Sequence, residues 1–245
     1  MKIHQLPSPN FNDRPNGEQD ITALVLHYTG MKDAEEVKER LCCPEAGVSA
    51  HYFIEEDGTI IQHVAEEKRA WHAGVSSWRG RENVNDYSIG IEIQNPGHEW
   101  GYRPFPDAQM QSVIALSKKI IARYAIEKRN VIAHSDIAPT RKQDPGELFD
   151  WSWLELMDTS AGARVSLERR ASDTPIAEAG AEAEAIKRLQ ESLSHYGYGL
   201  DLTGSFDEQT SLTITAFQRH FRQDKVNGQW DNECDALLAE LLKIS

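Results

Sequence analysis

One stretch constrains this chain more than any other: the near-continuous apolar run Ile21-Thr22-Ala23-Leu24-Val25-Leu26-His27-Tyr28. A run this short and this apolar suits a strand buried on both faces, at the centre of a sheet. Thr29-Gly30 ends it. Ser88-Ile89-Gly90-Ile91-Glu92-Ile93-Gln94 alternates cleanly, so the three Ile share one face and Gly90, Glu92 and Gln94 the other. Asp57-Gly58, between segments 51–56 and 59–64, predicts a hairpin with a type I′ turn, whose positive φ values Asp-Gly tolerates. Residues 130–134 read as another short strand. Helices are predicted over 33–41 and over 106–125, where Met110, Val113, Ile114, Ile120, Ile121 and Tyr124 form a stripe at helical spacing. The polar, Pro-containing stretch to Asp20 reads as an extended arm or coil. Residues 69–87, rich in Gly, Trp and polar groups, read as a long loop of the kind that often carries function.

The composition then shifts. From Asp158 to Ala183 Ala, Glu, Ser, Thr and Gly dominate and no aromatic residue occurs, which predicts a linker with some helix. Periodicity returns beyond it. Ile186, Leu189 and Leu193, then Leu212, Ala216 and Phe217, then Leu237, Leu238, Leu241 and Leu242 mark three helices of a small domain. The expected division is a larger domain with its N-terminal arm over 1–157, a linker over 158–183 and a helical domain over 184–245. A length of 245 residues accommodates this.

Charge and cysteine usage exclude several functions. With 26 basic and 39 acidic residues the net charge is −13, which argues against a nucleic-acid partner. No window approaches the ~20 apolar residues of a membrane span. The N-terminal residues lack the apolar segment of a signal peptide, so the expected compartment is the cytoplasm, or the cell envelope if the N-terminus was trimmed. Cys42, Cys43 and Cys234 are odd in number and two are adjacent, so no disulfide framework is implied, and no C-x-x-C marks a redox site.

The candidate chemistry centres on His27 and His134, which both end predicted strands, and on Asp144, ten residues beyond His134. Two imidazoles and a carboxylate suit a catalytic zinc ion, which takes three protein ligands and leaves a fourth position for water. A histidine ending a strand is equally a satisfied structural residue, and a separation of 107 residues is no local motif. Glu92 is a solvent-facing strand residue or a general base on a cleft, where Gly90 on the same face permits close approach. Lys142 is a surface ion-pair partner or, beside a metal, a stabiliser of developing oxyanion charge. Trp71-His72-Ala73-Gly74 lines a substrate groove or packs locally, and Trp78 and Trp100 share that ambiguity. His51 and His63 read as structural, Trp151 and Trp153 as core or lid packing.

Taken together, LVLHYT (24–29), SAHYFIEEDGTIIQHV (49–64), RAWHAGVSSWRGRENVNDYSIGIEIQNPG (69–97) and AHSDIAPTRKQDPG (133–146) resemble the zinc-dependent N-acetylmuramoyl-L-alanine amidases of the type 2 amidase family, which also holds phage-type amidases and peptidoglycan recognition proteins. The similarity is greatest to the Gram-negative branch of lipoprotein and recycling amidases. It implies an α/β fold, a mixed central sheet flanked by helices, with a small three-helix domain behind it. It implies one zinc ion held by His27, His134 and Asp144, with Glu92 and Lys142 catalytic, and Tyr28, Trp71 and His72 against substrate. The implied reaction splits the amide between the lactyl group of N-acetylmuramic acid, or its anhydro form, and L-Ala, in wall recycling or turnover. The implied partners are peptidoglycan fragments or murein polymer, with the oligomeric state open. Non-catalytic recognition proteins of the family have lost a metal ligand, and none of the ligands is missing here. Phage-type members place a catalytic Tyr where this chain has Ala50, which leaves Glu92 as the base. The secretion signal with a lipidation Cys seen in lipoprotein members is not visible. IKRLQESLSHYGYGL (186–200), TAFQRHFR (215–222) and VNG (226–228) resemble a peptidoglycan-binding domain, against which stands a helical stability module without ligand contact.

Overall fold

The computed structural model describes residues 1–154, 175–178 and 182–244. Most of the expected linker (158–174 and 179–181) and the side chain of Trp153 lie outside them. The larger region runs β1 (Ile3–Gln5), β2 (Phe11–Asp13), β3 (Ala23–Tyr28), α1 (Ala34–Cys42), β4 (Tyr52–Ile54), β5 (Ile60–Gln62), β6 (Lys68–Ala70), β7 (Ser77–Trp78), β8 (Arg81–Glu82), β9 (Ser88–Ile93), α2 (Gly97–Trp100), α3 (Asp107–Tyr124), β10 (Val131–Ala133) and α4 (His134–Ile137). After it come β11 (Pro175–Ala177), α5 (Ala183–Tyr196), α6 (Glu208–Phe221), β12 (Trp230–Asp231) and α7 (Asn232–Ile244).

Six strands make a mixed sheet in the order β1-β5-β4-β9-β3-β10. β3 lies between β9 and β10, parallel to both. The alternation read from the sequence sorts its two faces. Leu24 and Leu26, with Ile89, Ile91 and Ile93, pack on Met110, Val113, Leu116 and Ile120 of α3. Each such side chain, fully buried, contributes about 1.5–3 kcal/mol from water exclusion. On the opposite face Val25 pairs in register with Gly90 and Ile132, and His27 with Glu92. That face carries the polar groups, and α3 is nowhere near it.

Four local expectations are corrected. The hairpin is real, but of the two turn residues only Gly58 has a positive φ, 86°. Gly58 N–H donates to the Glu55 carbonyl (2.9 Å) and Glu55 N–H to that of Thr59 (3.0 Å), so one glycine suffices and the turn is not type I′. The N-terminal arm is sheet-bound: β1 pairs with β5 and β2 with β6. Arg14 anchors it, donating from a buried guanidinium to the carbonyls of Glu66, Asn85, Asp86 and Ser88. Segment 69–87 is folded, not a bare loop. It holds the β7–β8 hairpin, and the buried Asn85 amide oxygen accepts His72 N–H (3.0 Å) and Ala73 N–H (2.8 Å). His134 opens α4 rather than closing β10.

The three predicted helices are α5, α6 and α7. Asp207 caps α6 by accepting Thr210 N–H at 2.8 Å. β11, from the end of the expected linker, pairs with β12. The helices do not stand apart. Leu193, Tyr196, Tyr198 and Phe217 share one buried cluster with Trp78, Val84, Tyr87, Ile132 and Ile137. Trp78 bridges the two regions, its ring edge-on to Tyr198 at 5.2 Å. Among the described residues no helix is long and apolar enough to cross a membrane.

Candidate active site

The polar face opens into a cleft of about 340 Å³ lined by Tyr28, Trp71, His72, Glu92, Lys142 and Asp144, among others. At its base three atoms converge. His27 Nδ1 and His134 Nδ1 are 2.9 Å apart, and Asp144 Oδ2 is 3.2 Å from the first and 2.9 Å from the second. All three residues are buried. Among the described residues this is the one group of His, Cys, Asp and Glu atoms close enough to hold a metal. These three atoms would hold one zinc ion, which takes three protein ligands at a catalytic site and keeps a further position for water.

Hydrogen bonds fix which ring nitrogen faces that point. The Ser88 hydroxyl donates to the Val84 carbonyl (2.7 Å), so its oxygen accepts from His72 Nε2 (3.3 Å). His72 Nδ1 is then an acceptor, and it receives His27 Nε2–H at 3.0 Å. His27 Nδ1 is left as a bare lone pair. His134 reaches the same state by a shorter route, because its Nε2 donates to the Ala73 carbonyl at 3.1 Å. Two lone pairs and a carboxylate oxygen therefore meet with no hydrogen of their own between them. Such a donor set calls for a cation, and the outer bonds orient it as in known zinc sites. Burial, followed by the neighbouring His134, holds His27 down at about 4, which keeps it neutral and ready to ligate. Burial alone would raise Asp144, but the charge and hydrogen bond of His134, then those of His27, outweigh it and hold the carboxyl far below its usual range.

Glu92 sits beside His27 through the β3–β9 register. Its Oε2 is buried without a hydrogen-bond partner. Burial pushes this carboxyl well above the usual range, Asp144 adds to the rise, and Lys142 offsets it. Lys142 lines the same cleft, and its charge also lowers His27. The sheet, the start of α4 and the loop after it thus bring together all five residues expected to do chemistry. Ala50 is fully buried and carries no hydroxyl.

The three expected substrate contacts differ in what they touch. Trp71 lines the cleft with its indole N–H donated to Asn12 Oδ1 at 2.8 Å. His72 is 8 % exposed and spends both nitrogens on His27 and Ser88. A Cβ on Gly90 would lie 2.4 Å from the His72 ring, which explains the glycine. Tyr28 lines the wall, its hydroxyl 2.9 Å from His98 Nδ1. Sequence reasoning assigned His98 no role, yet it links Tyr28 to Glu147 (3.1 Å) and stacks on Tyr102 at 4.3 Å. The hydrogen bond from His98, above all, draws Glu147 down to about 2. No periodicity or spacing signals that chain of contacts.

Residues 17–147 match the family model described as N-acetylmuramoyl-L-alanine amidase, and residues 182–238 match a putative peptidoglycan binding domain. The chain is 40% identical to the N-acetylmuramoyl-L-alanine amidase AmiD of Escherichia coli, over 91% of this chain and 83% of that protein. It is 38% identical to the 1,6-anhydro-N-acetylmuramyl-L-alanine amidase AmpD of Enterobacter cloacae, over 66% of this chain and 92% of that one. A structure of E. coli AmiD with the substrate anhydro-N-acetylmuramic acid-L-Ala-D-gamma-Glu-L-Lys superposes with a TM-score of 0.78, covering 91% and 89% of the two chains at 38% identity. AmpDH3 of Pseudomonas aeruginosa in complex with anhydromuramic pentapeptide gives 0.75 at 33% identity, over 94% and 93%. With its fold, its metal-competent trio and its flanking acid and lysine in place, the chain belongs to the N-acetylmuramoyl-L-alanine amidase family.

Proposed function

We propose that this chain is a zinc amidase that hydrolyses the bond between the lactyl carbonyl of N-acetylmuramic acid, or its 1,6-anhydro form, and the L-Ala of the stem peptide, in wall recycling or turnover. The observation that carries the reading is the lone-pair triangle of His27, His134 and Asp144 beside an unpartnered Glu92 oxygen. When bound, one zinc ion supplies Lewis acidity toward the carbonyl oxygen and acidifies a water to a pKa of about 7. Glu92 takes the proton of the attacking water and delivers it to the leaving L-Ala amine. Its raised proton affinity suits both halves of that task. Lys142 faces the oxyanion that develops on the lactyl carbonyl. Trp71 and Tyr28 form walls against which the substrate lies, and His72 holds the ring of His27. Cys42, Cys43 and Cys234 are free thiols, which supports action in a reducing compartment such as the cytoplasm.

The test is a mass-spectrometric digest of a defined anhydro-muropeptide and of intact sacculi, with and without a zinc chelator. Release of an L-Ala-led peptide, abolished by chelation and restored by zinc, is expected. Absence of release from both substrates, with zinc bound, overturns the reading. The ratio of the two rates separates recycling from turnover.

A further inference from the structure

The two ligand-bearing segments outside the sheet are both gripped by the helical domain. Asp136, two residues beyond His134, is wholly buried. Its Oδ2 accepts Ala133 N–H at 2.8 Å, which fixes the start of α4. The same oxygen lies 2.6 Å from Nδ1 of His220 on α6, and Oδ1 accepts the Tyr198 hydroxyl at 2.8 Å. Burial keeps Tyr198 protonated, a permanent donor. Two of the three partners of this carboxyl thus come from the other domain. The Asp144 segment is held from the same helix. Arg219 donates to Gln143 Oε1 (2.9 Å) and to Glu147 Oε2 (3.3 Å), and Gln223, just past α6, donates to the Phe149 carbonyl. The His220 ring stacks on Trp151 at 3.8 Å. Ser135 N–H donates to the Asp144 carbonyl at 3.0 Å, tying the two segments together.

We infer that Tyr198, His220 and Arg219 of the helical domain are positioning residues for His134 and Asp144, so that the domain is part of the metal site. A buried carboxyl that loses its partners keeps its desolvation cost, and the segment must shift to find water. A shift at Asp136 passes directly to His134, two residues back on the same short helix. His27 is insulated, because its strand is bonded on both sides.

The inference rests on reading the trio as metal ligands, and the test separates the two. Zinc affinity of the full chain is measured by chelator competition, with kcat, KM and the unfolding temperature of the metal-free protein measured alongside. Tyr198→Phe keeps the ring and loses one donor. It is expected to weaken zinc about tenfold and lower kcat with KM within about twofold, the size of effect seen for outer partners of metal ligands. Arg219→Gln, acting on the other segment, is expected to do the same. Asp136→Asn should weaken zinc itself and erase any further effect of Tyr198→Phe. Phe217→Leu loosens the shared core without touching Asp136, so it is expected to lower the unfolding temperature while zinc affinity holds. A wild type that binds no zinc removes the ligand reading. Wild-type binding with unchanged affinity and kcat in both Tyr198→Phe and Arg219→Gln, or an equal loss in Phe217→Leu, overturns the inference.

Discussion

Strand β9 at Glu92 and the 140–146 loop at Asp144 place two carboxyls in one cleft, and their surroundings drive them in opposite directions. Asp144 is approached by two imidazoles and is held far below its usual range. Glu92 is buried with an orphaned oxygen and is pushed well above it. Burial acts the same way on both, so the difference comes from partners alone. A carboxyl stripped of its proton by its neighbours is a ligand. One whose proton affinity is raised can take a proton from water and hand it on, as an acid–base catalyst must. Pushing such values apart within one site is how roles are divided between like groups.

Exchanging each acid for its amide tests this division. Asp144→Asn is expected to empty the metal site and cut turnover on the order of 10⁴-fold, since several kcal/mol of Lewis-acid stabilisation go with the ion. Metal analysis of the purified variant checks the cause. Glu92→Gln is expected to retain full zinc and still lose roughly 10²–10⁴-fold in kcat. Near-wild-type rates in that variant would remove Glu92 from the mechanism and with it the contrast. Lys142→Ala should cost about 10²-fold in kcat with KM and zinc little changed, as for loss of one oxyanion donor. A matching rise in KM would make it a binding residue instead.

The smallest effect is the most direct reading of the contrast. A raised carboxyl stabilises the fold below its unfolded value, 4.5 for Glu92, and loses that contribution as pH rises through its folded value. A depressed one, Asp144, stabilises above 3.8 and loses the contribution on acidification. Metal-free Glu92→Gln should therefore unfold higher than wild type at pH 8, and metal-free Asp144→Asn lower at pH 7. The Glu92 difference should shrink toward pH 4, whereas the Asp144 difference should persist there and shrink only as the pH falls below 3.8. Shifts of roughly 2–4 °C correspond to 1 kcal/mol in a chain of this size. Thermal melts across pH in the presence of chelator would show the two variants moving in opposite senses or refute the assignment.

What the sequence revealed and what it hid divide along a physical line. β3, β9 and α3 were legible because burial on two faces, alternation and helical spacing are local patterns. The face shared by His27, Gly90 and Glu92 followed from parity once β3 and β9 were placed side by side. The triangle itself was not legible from spacing, since His27 and His134 meet only through the β3–β10 pairing. Family resemblance supplied it. The type I′ turn failed because a single glycine at Gly58 satisfies the hairpin. The sheet-bound arm and the folded 69–87 segment were missed because their order comes from Arg14 and Asn85, polar residues acting at long range. The contacts from His220, Arg219 and His98 were hidden for the same reason.

The shared cluster between the two regions bears on how the gene can be cut. Trp78, Val84, Tyr87, Ile132 and Ile137 are covered by Tyr198, Phe217 and their neighbours. A fragment ending near residue 157 would present those side chains to water as one patch, the kind of surface that drives aggregation. Expression of the amidase half alone should yield inclusion bodies or oligomers unless that patch is rewritten with polar residues.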